Sequence, residues 1–334
     1  MHNVNLLAMT KTSLRKIVKN TVIAANRLAG HHKRVIWIVG DGRSGTSWLA
    51  DLINYHNRYL YIFEPLHPNV FPFLDYEQPW LYLRPDRPSP YQSPIDDIFT
   101  VKTQGSHVRA NRSLIHDGVL IKDIHGHLLI DWVAARFPNV RKILLLRHPF
   151  AVALSKSKLR SWRWMEDPTR FLAQEPLRDT YLSPFKDIIP SGKNYFENQV
   201  IIWSIVHYIA LKQAANRNIH LSYYESLCVD YKTEVQPLFD HVGDPAGAND
   251  NRLINLLDRP SSTSARHSAV KHNENRINGW QRQLTARQIE AGETILREFG
   301  LHEIYNGTAL LPDKDAAQAF ITSPLIDPPA QGVY

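Results

Sequence analysis

The sequence predicts an α/β protein built on a central, mostly parallel sheet with helices on both faces. Two observations carry this. Short apolar, β-branched runs alternate along the chain with longer amphipathic stretches, the order that folds into strand–helix–strand units. The runs are also near-continuous in hydrophobicity, as strands covered on both faces must be. Strands are expected at 34–39, 59–63, 119–122, 141–147 and 219–223. Helices are expected at 46–56, 126–137, 149–160, 196–216 and 285–299, the last with Ile289, Ile295 and Leu296 inward and Gly300 at its end. Two irregular insertions, 65–118 and 161–194, interrupt the alternation; both are rich in aromatics (Phe71, Trp80, Tyr82 and Tyr91 in one, Trp162, Phe171 and Tyr181 in the other). They leave from carboxyl ends of strands, where open α/β sheets bind ligands. The expected organisation is an amphipathic helical segment over 1–32, a single α/β domain over 33–310, and an extended, proline-bearing tail over 311–334.

The first strand runs into the most informative stretch, residues 34–49, RVIWIVGDGRSGTSWL. Gly40, Gly42 and Gly45 permit a tight turn whose backbone N–H groups face an anion. Thr46 and Ser47 open a helix whose N-terminus adds partial positive charge. Gly42, Arg43, Ser44, Gly45, Thr46, Ser47 and Trp48 are therefore candidate anion-binding residues. The nucleotide-triphosphatase pattern G-x-x-x-x-G-K-[ST] requires lysine directly after the last glycine. Here that residue is Thr46, and the cation is Arg43. The loop holds a phosphate or sulfate but lacks the usual lysine for a β/γ-phosphate pair, which points away from ATP and GTP.

Residues 141–158, RKILLLRHPFAVALSKSK, form a second strand-to-helix junction. Its apolar run ends in Arg147, where a P-loop triphosphatase places a magnesium-holding aspartate. An arginine repels a metal and welcomes a metal-free anion. Pro149 suits the first helical turn, and Ser155 follows about two turns on. Together, 40–49 and 147–155 resemble the two cofactor signatures of the sulfotransferase family, in the same order and about 100 residues apart. The resemblance implies a three-layer, P-loop-like fold. It also implies that the first loop holds the 5′-phosphosulfate of 3′-phosphoadenosine-5′-phosphosulfate (PAPS), with Arg147 and Ser155 on the 3′-phosphate and 3′-phosphoadenosine-5′-phosphate (PAP) as product.

The resemblance extends to reactive residues. Glu64 closes the strand 59–63 in an "EP" segment similar to that of carbohydrate sulfotransferases, and Lys122-Asp123 is similar to the "K-D" strand end of the tyrosylprotein branch. By that likeness Arg43, Glu64 and Lys122 are catalytic. Residues 221–227 resemble the family's "Y-E-x-L" strand end, with Tyr224 near the nucleotide. Ile277-Asn-Gly-Trp280, after Arg266, Lys271 and Arg276, resembles the basic loop that closes over the cofactor; which of the three cations reaches it stays open, and Arg276 is taken as the candidate. The chemistry has its own logic. Sulfuryl transfer, like phosphoryl transfer, asks the protein for positioning and charge stabilisation. An acceptor hydroxyl needs a carboxylate base, for which Glu64 is the candidate. Arg43 and Lys122 neutralise the leaving oxygen without a metal. A 3′-phosphate is suited to a planar bidentate donor plus a hydroxyl, Arg147 and Ser155. Arg43 replaces the loop lysine of cytosolic aryl sulfotransferases, which fits the glycan and tyrosylprotein branches better. The insertions would form the acceptor site, with a carbohydrate or glycolipid as the expected acceptor. The alternatives are a P-loop nucleotide kinase or hydrolase, and a non-catalytic nucleotide-binding protein on the same frame.

Composition frames these readings. The 334 residues are 43% hydrophobic and 10% aromatic, a globular chain, with a formal net charge of +7 that suits a polyanionic cofactor. The basic residues read as spread along the chain, and no zinc-finger, RNA-recognition or arginine-rich signature marks a nucleic-acid binder. The single cysteine, Cys228, lies in an apolar run and reads as buried and inert; it excludes an intrachain disulfide or a cysteine-based zinc site. No metal site is expected. No window approaches a membrane span. The first 29 residues mix lysines and arginines with apolar residues throughout, unlike a signal peptide. Docking of this helix onto the domain is the first reading and weak membrane association the second. With a Met1 start and no anchor, a bacterial-type cytoplasmic enzyme is the expectation.

Overall fold

In the computed structural model the described residues are 2–72, 74, 80–103, 105, 107–109, 114–159, 162, 166–215, 217–257, 276–307 and 309–326. Six strands form one sheet: β1 (Val35–Gly40), β2 (Tyr59–Phe63), β3 (Val108–Arg109), β4 (Gly118–Asp123), β5 (Arg141–Leu146) and β6 (Ile219–Tyr223). Their order is β3-β2-β4-β1-β5-β6. Every pairing is parallel except that of the short edge strand β3 with β2. The five expected strands are all present, within a residue or so of their expected ends. Strand β1 is central, pairing Trp37 with Ile121 of β4 and Ile38 with Ile143 of β5. It is buried along its whole length, which is why its sequence has no polar alternation.

Alternate residues of the strands feed two separate cores, as the two-residue period of a strand requires. Trp37, Val39, Ile121, Leu144 and Leu146 face one core; Ile36, Ile38, Leu120, Ile143 and Leu145 face the other. The chain adds α1 (His2–Leu28), α2 (Thr46–Ile53), α3 (Gln92–Phe99), α4 (Ile130–Arg136), α5 (Pro149–Ser157), the one-turn α6 (Glu175–Leu177), α7 (Tyr195–Gln213), α8 (Tyr224–Val229), α9 (Tyr231–Val242), α10 (Asn251–Leu257), α11 (Ala286–Glu298) and α12 (Lys314–Thr322). Helices α5, α7 and α11 cover the first face, and α2, α9 and α10 the second. Helix α7 is apolar nearly all round because it lies under α5, α11 and α12.

Several elements depart from the sequence reading. Helix α2 stops at Ile53, where the chain turns through Asn57 in the left-handed region. The expected helix at 126–137 begins as a 3₁₀ turn over His127–Leu129. Insertion 65–118 is not wholly irregular: it contains α3 and β3. Within the expected extended tail, Lys314–Thr322 form α12, and 327–334 lie outside the described residues. Asp313 caps that helix by accepting from the Ala316 N–H at 2.8 Å. Ala317 and Ile321 are buried in the first core, and Lys212 of α7 donates to the Phe320 carbonyl at 2.7 Å. Its apolar stripe is one small and one branched residue, too thin to show as a period. Cys228 is half-buried rather than buried. Among the described residues no helix is long and apolar enough to cross a membrane.

The cores hold neutral histidines. Burial pushes His148 down to about 3 and His207 down to about 4, and drives His125 and His127 well below the usual range. Below pH 6.5 each takes up a proton in the unfolded chain but not in the fold until its lowered value is reached. Stability is therefore lost as pH falls from 6.5 towards 4, by about 1.4 kcal/mol per pH unit for each such proton. Asp123, raised to about 7 by burial, and Glu225, also raised by burial, oppose this with the reverse slope. The histidines outnumber them, so thermal unfolding followed from pH 7 to pH 4.5 is expected to show a falling Tm. His207→Gln should make the decline shallower; an unchanged slope in that variant would show that His207 is already charged in the fold.

Candidate active site

The carboxyl ends of β1, β2, β4 and β5 converge on one cleft of about 260 Å³. It is lined by Gly42, Arg43, Gly45, Thr46, Ser47 and Trp48 from the first loop, and by Glu64, Lys122, Arg147, Tyr224 and Arg276 from elsewhere. The sequence-derived residues therefore come together, with two qualifications. Ser44 lies fully buried beneath the loop, and Ser155 reaches the site through Arg43. Arg266 and Lys271 fall outside the described residues.

The loop owes its shape to its glycines. Gly45 sits at φ 100°, and a Cβ there would meet the Tyr224 ring at 2.6 Å; a Cβ on Gly42 would meet the Trp162 indole at 2.1 Å. Both rings thus press on the loop where it has no side chains. Arg43 is also left-handed, at φ 73°, a conformation an arginine adopts only when its surroundings impose it. Beneath the loop Asp41 accepts two hydrogen bonds from Lys156 of α5, at 2.8 and 2.7 Å, and both side chains are wholly buried. The loop N–H groups of the first turn of α2 have no acceptor within the helix and open towards the cleft.

Arginines gather on the α5 side. Arg43 Nε donates to Ser155 Oγ at 3.1 Å. Arg147 donates to the Arg43 carbonyl at 2.9 Å and the Arg276 carbonyl at 3.0 Å, and its guanidinium lies 4.2 Å from the centre of the Tyr224 ring. Burial and then the nearby Arg147 charge hold Arg43 below the usual arginine range. Burial likewise pushes the Tyr224 phenol up to about 12, so it stays neutral. Among the described residues, Arg147 Nε, Arg276 Nε and Nη2, and Ser44 Oγ are buried without a hydrogen-bond partner. Clustered cations with idle donors fit a multiply charged anion. Glu225 is the structural half of the "Y-E" pair: it accepts from the His148 N–H at 2.8 Å and from the Tyr305 hydroxyl at 3.1 Å, pinning the chain just after Arg147. Trp280 stacks on His148 at 4.3 Å and so carries Arg276 to the cleft.

On the opposite wall Glu64 and Lys122 form an ion pair. The Glu64 backbone lies at φ 49°, the second strained non-glycine in the site. Its turn is held by Asp123, which accepts from the N–H groups of Leu66 at 2.9 Å and His125 at 2.7 Å. Phe63, Ile124 and Trp162 complete the lining. Sequence reasoning did not single out Asp41, Lys156 or the walls Phe63 and Ile124, and gave Asp123 no role beyond its place in the "K-D" strand end. A signal existed for Asp41, which lies inside the first motif, and for Asp123, which follows the catalytic candidate directly; nothing marked Lys156.

The sequence model of the sulfotransferase domain family matches residues 33–298. The chain belongs to that family, and its chemistry is sulfuryl transfer. Among solved structures it is similar to the sulfotransferase domain from the curacin biosynthetic pathway, at 16% identity over 80% of this chain and 97% of that one, with a TM-score of 0.44. It is also similar to mouse sulfotransferase SULT7A1 complexed with PAP, at 13% identity over 86% and 88%, TM-score 0.46. A third is the sulfotransferase domain of the Synechococcus PCC 7002 olefin synthase, at 16% identity over 78% and 93%, TM-score 0.42. Among curated proteins none matches the chain.

The buried pair beneath the loop yields a direct test. Lys156→Ala strands the Asp41 carboxylate and is expected to lower stability by about 3–5 kcal/mol in chemical denaturation. The double variant Asp41→Leu, Lys156→Met should recover most of that loss, because removing both charges together leaves neither unpaired. A single variant as stable as the parent would mean that Asp41 is neutral in the fold.

Proposed function

We propose that the protein is a PAPS-dependent sulfotransferase that modifies a hydroxyl of a carbohydrate or glycolipid, with motifs nearest the carbohydrate and tyrosylprotein branches. The observation that carries the donor is the arginine cluster with idle buried donors facing the first loop. PAPS supplies the sulfuryl group to be transferred. The loop N–H groups, Thr46 and Ser47 are suited to its 5′ end, and Arg147 with Ser155 to its 3′-phosphate. Tyr224 and Arg276 form the wall along the nucleotide.

Glu64 is the proposed base. It sits across the cleft from the arginine cluster, lines the side that the insertions border, and is the one carboxylate among the described residues lining the cleft. It would take the proton from the acceptor hydroxyl as that oxygen becomes nucleophilic. Lys122, already on Glu64 and 4.8 Å from the Phe63 ring centre, stands ready to stabilise the developing negative charge. Arg43 provides the second cation from the loop. The strained backbones of Arg43 and Glu64 support these roles, since conformations that cost free energy persist where positioning is what matters. The aromatic walls Phe63 and Trp162 suit the face of a sugar ring.

Calorimetric titration with PAP, against ATP plus magnesium, tests the donor. Tight PAP binding with little ATP binding is expected; the reverse would sink this reading in favour of a nucleotide kinase. Arg147→Ala is expected to weaken PAP about 10- to 100-fold, the worth of a charge-assisted contact, while leaving adenosine-5′-phosphosulfate nearly unchanged. Equal losses for the two ligands would remove Arg147 from the 3′-phosphate. Glu64→Gln should retain PAP affinity and lose turnover by roughly 10²–10⁴-fold; full turnover in that variant would mean that another group takes the proton.

A further inference from the structure

The net charge of this protein has a location. The chain has 39 Lys and Arg against 32 Asp and Glu. Residues 1–34 hold seven of the basic residues and no acidic one, so the other 300 residues carry 32 of each sign and are formally neutral. The +7 is not spread along the chain, as the composition suggested, but lies wholly in the segment that forms α1 and the turn after it.

That helix docks through the wrong face for a core element. Its contacts with the domain are largely polar. Lys19 Nζ donates to the carbonyls of Gly105, at 3.2 Å, and Val108. Asn26 donates to the Leu114 carbonyl at 2.8 Å and accepts from the His116 N–H at 2.7 Å. Among the described side chains of α1, Ile23 alone joins the core margin from this side. The opposite face is apolar and in solvent: Leu14 is 62% exposed, Ile17 62%, Val18 52% and Leu28 91%. Positions 14, 17, 18, 21, 25 and 28 fall on one side of a 3.6-residue helix, and all six are exposed. The loop that Asn26 grips carries two further exposed apolar residues, Leu114 at 73% and Ile115 at 61%.

We infer that α1 is a peripheral membrane anchor that lays its apolar face into an anionic lipid surface. A stripe of aliphatic side chains on a helix that carries cations and no acid, and is too polar to span, is the form that lies in a bilayer interface. The uncompensated charge selects anionic headgroups, each lysine or arginine near such a surface adding to attraction. A second copy of the chain would place seven like charges against seven and gains nothing from them. A nucleic acid would use the cations but leave the aliphatic stripe in water.

The docking also fixes orientation. Lys19 lies at the level of Val108, which pairs with Ile62 near the carboxyl end of β2, whereas Asn26 lies at His116, beside the start of β2 and β4. Helix α1 therefore runs antiparallel to β2. The 17 residues of α1 before Lys19, about 25 Å at 1.5 Å per residue, extend on the side of the sheet where the cleft opens. A bilayer under α1 would lie beside the acceptor side of the site.

The test uses the full chain in co-sedimentation with vesicles of phosphatidylcholine, alone or mixed equally with phosphatidylglycerol. Binding to the mixed vesicles is expected, with little to the neutral ones, and loss at about 0.5 M salt, where screening is nearly complete. The triple variant Leu14→Ser, Ile17→Ser, Val18→Ser should bind the mixed vesicles at least about tenfold more weakly, with its Tm and PAP affinity unchanged. No binding to anionic vesicles would overturn the inference. So would binding that the triple variant leaves intact, since charge alone would then suffice. A dimer in analytical ultracentrifugation that the triple variant converts to monomer, without vesicle binding by the parent, would assign the face to a second copy instead.

Discussion

Two segments about 100 residues apart in the chain, both expected from the sequence to bind anions, are fastened to each other by a buried ion pair. Asp41 belongs to the loop after β1 and Lys156 to the helix after β5, and neither touches solvent. Two charges of opposite sign in the interior hold a fixed geometry because either alone would be costly to bury. The contacts above them follow from it. Arg43, two residues beyond Asp41, meets Ser155, one residue before Lys156, and Arg147 caps the Arg43 carbonyl. Loop and helix thus behave as one rigid cradle. Its surface charge is left positive because Asp41 is used below, in the pair with Lys156.

The far wall is built on a similar plan, with backbone N–H groups in place of the lysine. There a buried carboxylate, Asp123, holds backbone N–H groups and so shapes the turn that presents Glu64. Lys122 then reaches Glu64 from the same strand end. The consequence is a division of cations. Arg43 is committed to the cradle shared with Ser155, and Lys122 to the carboxylate.

How much of this was legible follows from what each feature costs to encode. The strands were readable because a residue covered on both faces has to be apolar, and 35–40 or 143–146 contain little else. The first loop was readable because close approach of an aromatic ring admits only glycine at 42 and 45. Helices α3 and α12 were not, since each is short, flanked by prolines and buried through two or three residues. The supports of the site were opaque for another reason. Asp41, Lys156 and Asp123 look like any surface charge until the fold buries them, and Trp162 comes onto Gly42 from a segment without period. Residues that meet a ligand are constrained by chemistry that can be recognised, whereas those that hold them are constrained only by their neighbours.

The charge of the chain makes the same distinction at larger scale. A formal +7 invites the reading that a polyanionic cofactor has drawn basic residues into the whole protein. Yet the residues from 35 onward are formally neutral, and the cleft is positive all the same. Placement does what composition does not: among the described residues, Arg43, Arg147, Arg276 and Lys122 line one cleft against a single carboxylate, Glu64. Local potential depends on which charges are desolvated together, not on their sum. The surplus is then left for a task that does require a sum, the attraction of an extended segment to an extended anionic surface, where screening and distance blur individual positions and only the density of charge counts.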